Sequence, residues 1–318
     1  MKILLTGIHG FIGRNLVKAL ADEHTLYGVD IVTPKQNGVV KTFSWKELEE
    51  NKVPQVDVII HLAGKAHDVK QKAKTAEYFK VNTGLTIKIM DYFTVSTAKK
   101  FIFFSSVKAA VDCVKGDFLT EEQPTNPVGP YGESKMKAEQ YIQQQLCTNA
   151  ALADKEVVIL RPCMIHGPGN KGNLNLLFAM VKKGIPWPLG SFENKRSFTS
   201  IGNLCFVMQL LLTKKVQSGV YQMGDDEPIS TNQLIRIMCE TTGKRARIWH
   251  LNRGGMRALA HLGTCLHLPY TSERLKKLTE NYVVSNQKIK GMLGIEKMPI
   301  TAEEGLRQTM RSFQSKAL

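Results

Sequence analysis

Tyr131 and Lys135 stand four residues apart in the stretch Pro130-Tyr131-Gly132-Glu133-Ser134-Lys135. That spacing puts both side chains on one face of a helix. The pair can do acid–base chemistry. A free phenol titrates at about 10, and an ammonium beside it favours phenolate and draws the value towards neutrality. A tyrosine so placed exchanges a proton with a substrate hydroxyl near neutral pH. The same spacing also suits a plain surface helix, with the ring leaning on the aliphatic stem of the lysine. A hydroxyl donor would complete the site, and Ser105-Ser106 follows the wholly apolar run Phe101–Phe104.

The elements that must position these groups are legible. Residues 100–105 read as a buried strand that delivers its serines at the carboxyl end, the edge where open α/β sheets bind ligands. Pro130 suits the start of a helix over 131–148. Further strand-like runs cover 2–6, 25–30, 56–61 and 156–161, and helix-like runs cover 11–22 and roughly 75–97. Strands separated by helices predict βαβ units and a parallel sheet. Near-continuous apolar strands predict helices on both faces. The expected fold is α/β, a Rossmann-type doubly wound parallel sheet over residues 1–162 to which some later segments return. Residues 163–318 form mainly a smaller C-terminal substrate-binding lobe, where glycine and proline break up the pattern and isolated strands are expected at 219–223 and 247–251.

The opening stretch, Lys2-Ile3-Leu4-Leu5-Thr6-Gly7-Ile8-His9-Gly10-Phe11-Ile12-Gly13, supplies a second chemistry. A strand runs into a glycine turn and then into a helix, the arrangement in which a dinucleotide pyrophosphate sits on a helix N-terminus. Gly7 allows the tight turn, Gly10 lets backbone N–H groups approach phosphate, and Gly13 lets the helix pack on the strand. Asp30 ends the second strand, where a carboxylate accepts hydrogen bonds from ribose hydroxyls and repels a 2′-phosphate. This favours NAD as cofactor over NADP; the alternative is an aspartate that merely ends a strand.

Composition narrows the class. The chain has 318 residues, 43% hydrophobic and 22% charged, ordinary values for a globular protein. No apolar stretch is long enough to span a bilayer, and the N-terminus does not read as a secretory signal, so a cytoplasmic protein is expected. Six scattered cysteines without a CxxC argue against a disulfide framework or a zinc site; no metal is expected. The net charge of +15 is spread along the chain, with short clusters such as Lys70-Gln71-Lys72-Ala73-Lys74 and no aromatic-interleaved basic motif. That speaks against nucleic acid and suits steering of anionic small molecules, or loose attachment to an anionic membrane.

Taken in order and spacing, Thr6–Gly13, His61-Leu62-Ala63-Gly64, Ser105-Ser106 and Tyr131-x-x-x-Lys135 resemble the extended short-chain dehydrogenases/reductases, in their NAD-dependent epimerase/dehydratase branch acting on nucleotide sugars. Arg161–Gly169 resembles the branch's RPxxxYGPG segment, with His166 at the usual tyrosine, and Arg196–Ile201 resembles its RxFxxV segment. The resemblance covers essentially the whole chain. It implies that Ser106, Tyr131 and Lys135 are catalytic, with Lys135 holding the nicotinamide ribose and lowering the Tyr131 pKa; Ser105 is the fallback for Ser106. It implies that Gly7, Gly10, Phe11, Ile12, Gly13, Asp30, Ile31, Leu62, Ala63, Gly64, Asn82 and Pro162 line the cofactor, Asn82 chiefly as a support. Ser106, Lys108, Asn173, Arg196 and Arg274 would face a nucleotide-sugar substrate, with a solvated helix face as the alternative for Arg274. A homodimer is compatible with it.

Sugar 4,6-dehydratases of this branch carry an Asp-Glu pair after the catalytic hydroxyl residue, whereas Ser106 is followed by Val107 and Lys108. Dehydration is therefore disfavoured. The Ser-Ser-x-Lys pattern is similar to bacterial nucleotide-sugar 4-ketoreductases, which places hydride transfer at C4 of a UDP-linked hexose first. A UDP-hexose 4-epimerase comes next. A non-catalytic NAD-binding sensor or scaffold is the third alternative, although such proteins usually lose the tyrosine or the lysine.

Overall fold

The computed structural model describes residues 1–66, 74–170, 172–266, 268 and 270–314; Lys70 to Ala73 of the lysine cluster lie outside them. Seven parallel strands make the main sheet: β1 (Lys2–Thr6), β2 (Thr25–Val29), β3 (Lys41–Phe43), β4 (Val58–His61), β5 (Lys100–Phe104), β6 (Glu156–Pro162) and, after the short paired strands β7 (Met164–His166) and β8 (Phe198–Ser200), β9 (Gly219–Met223). Their order is β3-β2-β1-β4-β5-β6-β9. The chain thus runs outward from β1 in one direction, returns, and runs outward in the other. The C-terminal ends of β1 and β4, flanking this switch point, are where such folds bind ligands.

Side-chain alternation explains the layering. Ile3 and Leu5 of β1 enter a core with Leu16, Val17 and Leu20 of α1 (Phe11–Leu20). Leu4 between them enters the opposite core, beneath the helices at 85–95 and 130–148. Each leucine so buried contributes about 1.5–3 kcal/mol relative to exposure. A five-residue helix, α2 (Trp45–Glu49), is closed by a Ser44–Glu47 capping box. The helical region expected over 75–97 is three pieces: α3 (Thr75–Tyr78), a π-helical turn at Phe79–Gly84 and α4 (Leu85–Val95). A short α5 (Val107–Ala110) follows β5, and α6 (Pro130–Thr148) begins at the expected proline.

Beyond β6, the structure departs from the expected isolated strands. Gly219–Met223 is the seventh strand of the main sheet, paired with β6 from Val158↔Gly219 to Pro162↔Met223. It lies there because α8 (Ile201–Thr213) returns to the sheet and packs Leu204, Val207, Met208 and Leu211 into the α1-side core. Residues 247–251 make only isolated bridges, with Trp187 and Leu189. A separate apolar core gathers α7 (Asn173–Lys182), α9 (Thr231–Thr241), α10 (Arg253–Cys265), α11 (Ser272–Thr279) and α13 (Ala302–Gln314). The remaining helix, α12 (Gln287–Leu293), joins the main-sheet core.

Candidate active site

The site grows from the C-terminal ends of β1, β4 and β5. At β1, Gly7 adopts φ +69°, and a Cβ on it would stand 2.7 Å from the Ala63 backbone nitrogen. The β1 turn and the segment after β4 can approach this closely only through a glycine. Thr6 Oγ1 also accepts the Ala63 N–H and contacts His61 Nδ1 at 2.6 Å, while His61 Nε2 meets Thr86 Oγ1 at 2.9 Å. His61 is fully buried, and desolvation, with the Lys135 charge, holds its pKa well below the usual range. It is a neutral strut between β1, β4 and α4.

Gly10 begins α1 without a side-chain cap, so the first-turn N–H groups of the helix are available to an anion. A Cβ on Gly13 would stand 2.4 Å from the Ile8 carbonyl oxygen, which makes this glycine the close helix–turn contact. The Asp30 carboxylate accepts the backbone N–H of His9 at 3.0 Å and of Ile31 at 2.7 Å. It is thus held against the glycine turn and does more than end β2. Phe11 and Ile12 are half-buried, and Ile31 is exposed. The uncapped helix start, the Cβ-free turn and the carboxylate at the end of β2 fit an NAD: the start of α1 would hold its pyrophosphate and Asp30 its ribose.

Ser106 caps α5, its Oγ accepting the Lys108 N–H at 3.2 Å, and its side chain lies near enough to the Tyr131 phenol to pull that group's pKa down. What brings these two together is Gly132. A Cβ there would lie 2.5 Å from the Lys108 carbonyl oxygen and 3.2 Å from Pro127 Cβ, so only glycine lets α6 start this close to α5. The sequence reading passed over Gly132, although a glycine inside a helical pattern is itself a signal of close approach. Ser105, the fallback hydroxyl, is turned away: its Oγ donates to the buried Glu139 carboxylate. The structure therefore presents Ser106 to Tyr131.

Lys135 is buried, with Nζ donating to the Phe104 carbonyl at 2.7 Å and lying 4.9 Å from the Phe103 ring centroid. A Cβ on Gly64 would stand 3.1 Å from that Nζ and from Asn82 Oδ1, which places the lysine beneath the segment after β4. Burial lowers its pKa to about 8, against the opposing pull of Glu139. Tyr131 is shifted the other way from the sequence expectation. Burial raises its phenol above the usual value, and the Ser106 side chain only partly offsets this. Lys135 Nζ is anchored on a β5 carbonyl and is not among the groups that shift the phenol. Tyr78 packs edge-on to Tyr131, with ring centroids 6.5 Å apart, and adds to the apolar surround.

Asn82, in the π-helical turn, spends its amide on structure. Its Oδ1 accepts the Lys65 N–H at 2.7 Å, and its Nδ2 donates to Ser134 Oγ at 2.9 Å and the Lys65 carbonyl at 3.2 Å. It ties the segment after β4 to α6. A single π turn re-aims a side chain in this way and recurs at functional sites. Behind α6 lies a pair that the sequence reading did not single out. The fully buried Glu139 accepts from Arg161 Nε at 2.9 Å and 3.1 Å and from Arg161 Nη2. Glu139 follows Lys135 by four residues and Tyr131 by eight, so the helical spacing that carries the two catalytic candidates also carries their support.

The substrate-side candidates are placed differently. Lys108 Nζ is bound to the Asp112 carbonyl at 2.7 Å and carboxylate at 3.0 Å, and it lies over the Tyr282 ring. Arg196 is half-buried; Nη1 donates to the Lys277 carbonyl at 2.5 Å, so it is tied to α11, the helix that carries Arg274. Desolvation lowers its pKa, opposed by the nearby Glu280. Arg274 and Asn173 are exposed, on α11 and at the start of α7. Pro162 ends β6, buried beside Met223. His166, the last residue of β7, is buried against α13, with Nδ1 2.8 Å from Thr309 Oγ1 and Nε2 3.7 Å from the Asp225 carboxylate.

Comparison with known proteins identifies the family. The family model for the NAD dependent epimerase/dehydratase family matches residues 3–224. A UDP-glucose 4-epimerase of Vibrio cholerae is 32% identical, with 98% of this chain and 95% of that protein covered. An N-acetyl-alpha-D-glucosaminyl-diphospho-ditrans,octacis-undecaprenol 4-epimerase of Escherichia coli O157:H7 is 25% identical over 97% of this chain and 94% of its own. The solved UDP-glucuronic acid 4-epimerase from Bacillus cereus in complex with NAD superposes with a TM-score of 0.76 at 19% identity, covering all of both chains. The chain belongs to the NAD-dependent epimerase/dehydratase family; it is an enzyme, and NAD is its cofactor.

Proposed function

We propose, from membership of the NAD-dependent epimerase/dehydratase family, that this enzyme inverts C4 of a UDP-linked hexose. The observation that carries the reading is the Ser106 side chain beside the Tyr131 phenol, with the buried Lys135 one helical turn on and Val107 and Lys108 where a dehydratase needs two carboxylates. The site has a proton acceptor for a hydroxyl, and Val107 and Lys108 supply no carboxylate for eliminating one. The UDP-glucose 4-epimerase relative, matched over nearly the full length of both chains, supports epimerisation as the outcome.

The chain's own part follows from its groups. Ser106 orients the C4 hydroxyl and Tyr131 accepts its proton. NAD, when bound, accepts the C4 hydride and gives it back. Lys135, one helical turn along α6 from Tyr131, reaches the nicotinamide ribose. Tyr131 returns the proton to the oxygen of the 4-keto sugar once it has turned its other face. Arg196, with a planar donor fork, holds the UDP diphosphate; Asn173 and Arg274 flank it.

A second reading is C4 reduction or dehydrogenation, favoured by the Ser105-Ser106-Val107-Lys108 pattern. It uses the same three residues but consumes or makes a reduced nicotinamide each turn. Incubation with UDP-glucose and with UDP-N-acetylglucosamine, without added nicotinamide, separates the two. The expected result is the C4 epimer, seen by proton NMR of the anomeric signal. No epimer from either sugar, together with NADH-dependent reduction of a UDP-4-keto sugar, would establish the reductase reading instead.

A further inference from the structure

The surface of α10 carries an apolar stripe that the catalytic site does not use. Helix α10 buries Met256, Ala260 and Gly263, the i, i+4, i+7 face that packs into its lobe. On one flank of that face Leu259, Leu262 and Leu266 repeat at i, i+3, i+7 and are 53%, 56% and 60% exposed. Trp249, just before the helix, is 54% exposed, and Leu251 and Leu268 at its two ends are exposed as well. Single exposed leucines are ordinary. A run of them along one helical stripe marks a surface built to meet something apolar.

Charge identifies what it meets. From Lys244 to Thr279 the sequence holds eight lysines and arginines and one acid, Glu273. Arg253 and Arg257 lie on the opposite flank of the buried face, and Lys244, Arg245 and Arg247 precede the helix. Two copies of the chain meeting through this face would bring like charges together. Nucleic acid would use the cations and leave the leucines in water. An anionic bilayer uses both: acyl chains take the leucines, lipid phosphates take the arginines, and Trp249 suits the boundary between them.

We propose that the α10 face is a docking surface for an anionic membrane, on which the enzyme lies peripherally. The proposal is independent of the sugar that the enzyme acts on. It adds no membrane span: no helix among the described residues is long and apolar enough to cross a bilayer.

The test uses the full-length protein with sedimenting vesicles, either phosphatidylcholine alone or an equal mixture with phosphatidylglycerol. Binding to the mixed vesicles should exceed binding to the neutral ones by about tenfold or more, and fall as salt rises. Leu259→Asp with Leu262→Asp should abolish it, while circular dichroism and sugar-nucleotide turnover stay at the parent level. If the aspartates disturb the fold, Leu259→Gln with Leu262→Gln serves in their place. Brominated lipid should quench parent fluorescence more than that of Trp249→Phe. Equal binding to both vesicles, or leucine variants that still bind, would overturn the proposal. A dimer in sedimentation that the leucine variants dissociate would also overturn it, by assigning the face to a second copy.

Discussion

Two buried carboxylates stand behind the two sides of the site, and they are neutralised in different ways. Glu139, behind Tyr131 and Lys135, is paired with the Arg161 guanidinium and also accepts from Ser105. Asp225, in the seam beneath the segment that follows Arg196, accepts from the Ser200 N–H and hydroxyl and from Asn203 Nδ2 at 2.7 Å. His166 Nε2 stands 3.7 Å from it. One side rests on a buried ion pair and the other on dipoles. An ion pair locks geometry but is costly to break by halves; a set of neutral donors loses one member at smaller cost. On the proposed reading, the side that aims a proton has the rigid support, and the side that grips a diphosphate has the forgiving one.

The largest effect should come from the rigid side. Tyr131→Phe is expected to lower kcat by about a hundred- to ten-thousand-fold with the NAD Kd nearly unchanged, because the phenol acts on the substrate proton. Steady-state kinetics and nucleotide titration check this, and a variant within a few-fold of the parent would remove Tyr131 from the chemistry.

Next is the support itself. Arg161→Met leaves Glu139 buried without its cation and should cost about 3–5 kcal/mol in unfolding free energy. Asp225→Asn, which removes charge among neutral donors, should cost less, about 1–2 kcal/mol. Urea denaturation of both variants measures the contrast directly; equal losses would erase the distinction between the two sides.

Arg196→Met tests the gripping side. It should raise KM for the sugar nucleotide by one to two orders of magnitude, the loss of a charge-assisted contact worth about 1.5–3 kcal/mol, with kcat and NAD affinity little changed. An equal loss of affinity for both ligands would mark Arg196 as structural.

The last test is a pH dependence on the rigid side. The folded pKa of Lys135, about 8, lies below its ordinary value of 10.5. Between those values the unfolded chain holds a proton that the folded chain has released, so stability rises with pH. Relative to Lys135→Met, which cannot titrate, the nucleotide-free parent should gain at most about 1.4 kcal/mol per pH unit from pH 8 to 10.5. Thermal melts across that range would show a constant gap if Lys135 were not desolvated.

Much of the frame was legible from local pattern. The apolar runs that became β1, β4, β5 and β6 are short, dense and bounded by turns, so their period and length left little choice. Pro130 marked the start of α6. Strand β3, three residues long, has too few side chains to show a period. The span expected as one helix at 75–97 is broken by a π turn, where Asn82 and Thr83 bond Ser134, a contact that residue spacing alone does not announce. Strand β9 was read as a local piece of the smaller lobe. Its place beside β6 depends on α8 covering the sheet, a contact between segments far apart in sequence.

The sequence by itself determined the chemistry available: a glycine turn at a helix start, an acid at the end of β2, a serine after a buried strand, and a tyrosine and lysine one helical turn apart. These are properties of residue type and short spacing, and the chain carries them wherever it folds. Tertiary structure decided which serine meets Tyr131, because a missing Cβ at Gly132 brings α6 against α5 while Glu139 draws Ser105 away. It also decided the direction of the Tyr131 and Lys135 shifts. A pKa responds to how much water and charge surround a group in three dimensions, and burial is set by segments far apart in sequence.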